Sequence, residues 1–377
     1  MQNTPKKQPI IHRSFTGGNI VADVRGDEVF LCNELRDTPY DWFYWAFCVE
    51  GAAGRTLTCH VDAQRIGYFG PAVSRDLSSW RWLADTEGQA YDHERDGETF
   101  SYRFGPTEDR VYFAHHALYH PDRFAAFCRE RGLTPGELCR SERGRSVPFV
   151  TFGRGRRQVI LTARHHACES TGDYVLEGVL DELIRAPLPD AQIYCVPFVD
   201  LDGVLDGDQG KGRAPHDHAR EYDRSAAPLY ASTAAIRARA DAHGCTYGFD
   251  FHSPWHIGTE NDNAFIVRNS TAKDPRADAF GALLEEETAA AASFPYRQAD
   301  DHPVGVTWNQ GAPNFSRYMS ALPDNEVAFT LETAYFGHPD EPVTPERLIA
   351  LGRAFARALR RYVADCEGRI PLLTPAP

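Results

Sequence analysis

The apolar run Val159-Ile160-Leu161 leads into Ala163-Arg164-His165-His166-Ala167-Cys168-Glu169, where His166 and Glu169 stand at H-x-x-E spacing. Downstream, Val175, Leu176, Val179, Leu180, Leu183 and Ile184 recur at helical period, and Ser170-Thr171-Gly172-Asp173 is a helix start with a carboxylate in its first turn. The segment is therefore read as strand, turn and helix. An imidazole and a carboxylate three residues apart at that junction can face one cation while the strand holds their backbone. A catalytic ion needs a third protein ligand and one open position. Tyr247-Gly248-Phe249-Asp250-Phe251-His252 is a second short strand pattern ending in a histidine, and Val327-Ala328-Phe329-Thr330-Leu331-Glu332 is a third, ending in a carboxylate. His166, Glu169 and His252 thus form a candidate set for one Zn2+ per chain, the arrangement of a zinc hydrolase.

Beyond residue 140 strand and helix patterns alternate: Gln192 to Val199 as strand, Leu229 to His243 as an Ala-rich helix, and a last helix opened by Thr344-Pro345 with an apolar stripe at Leu348, Leu351, Phe355, Leu359 and Tyr362. This predicts a mixed sheet flanked by helices. From about residue 10 to 119 the pattern changes to short alternating segments, Asn19 to Val24, Phe43 to Val49, Thr56 to Val61, Phe100 to Phe104 and Arg110 to Ala114, which predicts a β-sandwich. The 377 residues divide into a sandwich over 1–125 and a catalytic α/β domain over 126–377, with the change between about 120 and 140. A net charge of −13 provides no basic footprint for nucleic acid or an anionic membrane. Nine cysteines without C-x-x-C pairs fit a reducing cytoplasm, and no stretch approaches membrane-spanning length. The arginines of the last helix read as a solvated face. The pair His115-His116 lacks a carboxylate at ligand spacing and reads as strand-end histidines.

The order H-x-x-E, then His, then Thr-Leu-Glu resembles the M14 zinc metallocarboxypeptidases. The family element A-R-x-H-x-x-E selects His166 over His165, and the match at Thr330-Leu331-Glu332 implies the general base at Glu332. Asp200-Leu201-Asp202-Gly203, followed by Asp217-His218-Ala219-Arg220, resembles the family's N-P-D-G and D-L-N-R elements. That match implies that Asp217 accepts from the first zinc histidine and that Arg220 holds a substrate carboxylate. It also implies that Arg213 polarises the scissile carbonyl, with Lys211 as competitor because the spacing departs from the family's. Tyr318 is the candidate substrate-capping tyrosine. Phe15-Thr16-Gly17-Gly18-Asn19, Trp42-Phe43-Tyr44, Tyr68-Phe69-Gly70-Pro71-Ala72 and Ser141-Glu142-Arg143-Gly144-Arg145 resemble the cytosolic carboxypeptidase branch, with its N-terminal β domain.

Two departures bear on substrate. The asparagine that helps clamp a terminal carboxylate is Ala219 here, and N-P-D-G has become Asp200-Leu201-Asp202-Gly203. The resemblance implies hydrolysis of a C-terminal or side-chain amide of a peptide or amino-acid conjugate. Ala219 keeps open a zinc amidohydrolase or deacylase of an N-acyl amino acid, and a non-catalytic binding protein is the third alternative. Specificity is expected in the loops Trp255 to Asn263 and Pro303 to Ser320, and oligomeric state is left open. Cys168, inside H-x-x-E, is expected to pack as a small buried residue rather than act as nucleophile.

Overall fold

The computed structural model describes residues 8–62, 65–269, 274–306 and 308–369. Among the described residues nine strands precede residue 120: β1 (Ile10–His12), β2 (Val21–Arg25), β3 (Glu28–Cys32), β4 (Ala46–Glu50), β5 (Thr56–Val61), β6 (Ala72–Ser74), β7 (Arg81–Trp82), β8 (Thr99–Arg103) and β9 (Arg110–Ala114). They form two sheets, β1-β4-β9-β6-β7 and β2-β3-β5-β8. All pairs are antiparallel except β3 with β5. The sheets enclose a core built from Trp45, Phe47, Val49, Leu57, Phe100, Val111 and Phe113.

The five-stranded sheet has a second buried face. Successive side chains of a strand point to opposite sides, so Trp45, Phe47 and Val49 face the sandwich core while Tyr44 and Ala46 join the core of the α/β half. Trp82 and Ala114 join that second core too. This explains why β4 reads as a continuous apolar run rather than as a clean alternation.

The second half is built on a seven-stranded sheet of β10 (Gly136–Arg140), β11 (Ser146–Arg154), β12 (Arg157–Ala163), β13 (Ala191–Val196), β14 (Tyr247–His252), β15 (Ala264–Val267) and β16 (Val327–Thr333). Its order is β10-β11-β13-β12-β14-β16-β15. The four central strands are parallel and the outer three antiparallel. The mixed sheet, the helices beside it and the preceding sandwich agree with the sequence expectation. Strand β14 has the expected bounds. The region 120–140 contains a helix, Pro121–Arg131, and the edge strand β10, and Phe124, Phe127 and Cys128 are buried in the α/β core.

Helix Ser170–Arg185 is buried on nearly all sides, because its apolar residues face the core and its acidic stripe Asp173, Glu177 and Asp181 is paired with Arg164, Arg123, Arg131 and Arg353. It packs against the terminal helix Pro345–Arg369, and glycines set the approach. A Cβ on Gly178 would lie 2.0 Å from the carbonyl oxygen of Ile349, and one on Gly352 would lie 1.9 Å from that of Val175. The helices therefore touch backbone to backbone. Gly352→Ala forces them apart, and the expected destabilisation is about 1–3 kcal/mol, the range for overpacking. An unchanged midpoint in urea unfolding would show that the contact tolerates a methyl group.

Candidate metal centre

The C-terminal ends of the parallel strands are where an open α/β sheet presents its crevice. Three of them deliver the candidate residues. After β12 the chain turns through Arg164, a non-glycine residue at φ 61°. Its guanidinium fixes that uncommon conformation by donating to Asp173 at 2.7 Å, to the carbonyl of Tyr119 at 3.3 Å and to the carbonyl of Ala167. His165 and His166 follow, and Glu169 is the residue that caps helix Ser170–Arg185. A carboxylate there gains from the helix dipole. The other two residues come from neighbouring strands, since His252 ends β14 and is paired in parallel register with Glu332 of β16.

The side chains converge. Oε1 of Glu169 lies 2.8 Å from Nδ1 of His166 and 2.7 Å from Nζ of Lys211, while Oε2 lies 2.7 Å from Nδ1 of His252. The two Nδ1 atoms are 3.2 Å apart. One donor from each of His166, Glu169 and His252 falls within 4.8 Å of the others. Two imidazole nitrogens and a carboxylate at that spacing suit a zinc-sized cation with a fourth position open. Burial alone would raise the Glu169 carboxyl, yet His166, Lys211 and His252 hold it well below the usual carboxylate range.

Around these groups the structure distributes the remaining candidates unequally. Nε2 of His166 lies 3.3 Å from Oδ1 of Asp217, whose carboxyl is lowered against the effect of burial by that imidazole. Glu332 is buried, and its Oε2 has no hydrogen-bond partner among the described residues. Burial, opposed by His252 and reinforced by Glu169, raises its carboxyl to about 7. Arg220 is exposed and makes no ion pair among the described residues. It lines a cleft of about 370 Å³ with His216, Glu221, Leu229 and Pro313. Ala219 is 5% exposed, and its N–H donates to Oδ1 of Asp217 at 2.8 Å.

Two of the expected residues are held by other partners. Arg213 does not face the centre: its guanidinium is paired with Asp200 and Asp208, two buried carboxylates that need a cation. Lys211 faces it instead, on a loop brought close at Gly210. That glycine has φ 82°, and a Cβ there would fall 2.1 Å from the backbone nitrogen of Ala167. The sandwich holds the same loop. Asp37 accepts from the N–H groups of Gln209 and Gly210 at 3.0 and 2.8 Å, and Nζ of Lys211 lies 5.4 Å from the ring centre of Trp42. Tyr318 is also elsewhere. Its hydroxyl donates to Asp241 at 2.6 Å beneath the guanidinium of Arg224, so it is not free to cap a substrate.

Asp250 joins the site from outside the sequence-derived candidates. Its Oδ2 lies 2.7 Å from Nε2 of His252, so it orients the ring whose other nitrogen faces Glu169. The signal was available, because positions 250 and 252 of one strand share a face. His115 and His116 are buried and pair with each other through Nδ1 at 2.9 Å, and Nε2 of His116 lies 2.8 Å from the hydroxyl of Ser170, the residue after Glu169. Cys168 is buried, and its thiol is pushed up to about 12 by burial, so it is not a thiolate nucleophile. The eight described cysteines are free.

No protein-family profile matches the chain. Over 262 residues it is 28% identical to an uncharacterized protein of Zymomonas mobilis, covering 64% of this chain and 67% of that one. It is 26% identical over 215 residues to cytosolic carboxypeptidase 2 of Danio rerio, and 28% over 148 residues to human cytosolic carboxypeptidase 2. Those matches cover 48% and 33% of this chain but only 29% and 16% of the relatives. Among solved structures, a metallo-carboxypeptidase of Burkholderia cenocepacia superposes with TM-score 0.73 at 21% identity, covering 96% of this chain and 100% of that one. The Pseudomonas aeruginosa metallo-carboxypeptidase in complex with (2-guanidinoethylmercapto)succinic acid gives 0.74 at 21% identity, covering 94% and 99%.

Because the buried Asp200 has Arg213 as its guanidinium partner, while Asp208 is also paired with Arg36 at 2.7 Å, Arg213→Met should destabilise the protein by about 3–5 kcal/mol, as loss of one member of a buried ion pair does. Denaturant unfolding measures this. A variant of parent stability with a large loss of turnover would return Arg213 to the reacting centre.

Proposed function

Taking the chain as a relative of the cytosolic-carboxypeptidase-like M14 enzymes with their fold, we propose that it is a zinc-dependent hydrolase of a C-terminal or side-chain amide bond in a peptide or amino-acid conjugate. The observation that carries this reading is the convergence of His166, Glu169 and His252 beside a buried, unpartnered Glu332. Bound zinc would supply Lewis acidity toward the scissile carbonyl and acidify a water molecule. His166 and His252 would hold it through Nδ1 and Glu169 through its carboxylate.

The chain's own groups supply the rest. Glu332 takes the proton of the attacking water and returns it to the leaving nitrogen, a role its raised carboxyl suits. Lys211 stays protonated despite burial because Glu169 and Glu332 lie beside it; its ammonium also donates to the carbonyls of Ser253 at 2.9 Å and Pro254 at 3.3 Å, so it acts on the oxygen where negative charge develops as a fixed positive charge. Asp217 fixes the ring of His166. Arg220, exposed and without an ion pair among the described residues, holds the substrate carboxylate. Among the described residues no helix is long and apolar enough to cross a membrane. A cytoplasmic site of action follows from the free cysteines as a proposal. A second reading, hydrolysis of an N-acyl amino acid, is favoured by Ala219, which leaves Arg220 without a neighbouring amide at that position.

The purified protein should contain one zinc per chain, and His252→Ala should lose it; stoichiometric zinc in that variant would refute the ligand set. Glu332→Gln and Lys211→Met should each lower kcat by on the order of 10² or more while the zinc content stays at the parent value. Peptides with a free C-terminus assayed against N-acyl amino acids decide between the two substrate readings.

The pH profile has a defined sign. Glu332 works deprotonated and titrates at about 7 without metal. A cation beside it favours the carboxylate and moves that value down. Activity should therefore fall on acidification, with the limb at or below about pH 7, and Glu332→Gln should abolish this limb. An acid limb unchanged in Glu332→Gln would place the titrating base on another residue.

A further inference from the structure

Behind His252 lies a fully buried chain of polar groups that the mechanism leaves unused. Oδ1 of Asp250 lies 2.9 Å from Nδ1 of His165 and accepts from the Thr162 hydroxyl at 2.8 Å, and Nε2 of His165 lies 2.7 Å from the Tyr222 hydroxyl. A carboxylate can only accept. His252 therefore donates from Nε2 and His165 from Nδ1, which leaves Nδ1 of His252, 2.7 Å from Oε2 of Glu169, as the nitrogen that would face a cation in place of a proton, and Nε2 of His165 to receive the Tyr222 phenol. Every polar atom in the chain is matched. The His165 and His252 rings are nearly parallel, 7° apart with centroids at 5.6 Å, and His165, Asp250, Tyr222 and Thr162 are all buried.

We infer that His165 and Tyr222 are positioning residues that fix the metal-facing nitrogen of His252 through Asp250 and tie it to the segment 217–222. The inference rests on the metal centre proposed above. That segment touches both histidine ligands from behind, through Asp217 on His166 and through Tyr222, His165 and Asp250 on His252. Arg220 lies between the two attachments. The group proposed to hold the substrate is thus built into the same short stretch that orients the ligands.

The test is zinc affinity by chelator competition, together with the visible spectrum of the cobalt-substituted protein, in the absence of substrate. His165→Leu removes the donor to Asp250, whereas His165→Asn keeps an N–H where Nδ1 stood. Zinc should bind about 10–100-fold more weakly to His165→Leu, about 3–10-fold more weakly to Tyr222→Phe, and within about threefold of the parent to His165→Asn, the scale of losses behind a ligand. The cobalt bands should shift in His165→Leu and return in His165→Asn. Parent-like affinity and spectrum in His165→Leu, or equal impairment in the leucine and asparagine variants, would overturn the inference. Should His165→Leu fail to fold, parent-like affinity in Tyr222→Phe overturns it. A parent protein that takes up neither zinc nor cobalt overturns the metal centre as well.

Discussion

A carboxylate with no exposure to water sits where three strand ends meet. Leaving Glu169 unpaired in that position would cost several kcal/mol. Its oxygens are approached by His166, His252 and Lys211, which come from the turn after β12, the end of β14 and a loop gripped by the sandwich. The fold can close only if all three arrive together. This one requirement ties the register of the central sheet, the left-handed turn at Arg164 and the approach at Gly210 to a single point.

The parallel register does the finest part of the work. His252 and Glu332 are paired across β14 and β16, so backbone hydrogen bonds rather than flexible side chains set the spacing of a proposed ligand and the proposed base. A slip of one residue would turn one of them to the other face of the sheet. Substrate preference can vary in the surrounding loops without disturbing that spacing.

What could be read from the sequence was local and periodic. The strands ending in His252 and Glu332 carry their pattern in six consecutive residues, and H-x-x-E lies within one turn, so both were legible. The choice between Arg213 and Lys211 depends on which carboxylates, distant in sequence, lie within reach. Asp200 and Asp208 claim the guanidinium, and no spacing rule predicts that competition. Tyr318 follows the same pattern, because Asp241 takes its hydroxyl. Asp250 is legible in principle, since it stands two residues before His252 on the same face of one strand. The two-sided burial of β4 shows in its apolar run, but what covers the second face lies more than a hundred residues downstream.

That second face has a consequence for how the polypeptide is made. Synthesis proceeds from the amino terminus, and the first domain to emerge can fold while the rest is still being translated. The nine strands of the sandwich complete their own core without help from later residues. Yet Phe43 and Trp82, on the far side of the five-stranded sheet, also pack against Trp255, His256, Tyr335 and Phe336, which belong to the later half of the chain. Until the ribosome has delivered that half, the nascent sandwich carries an uncovered aromatic surface, the kind of patch that chaperones bind.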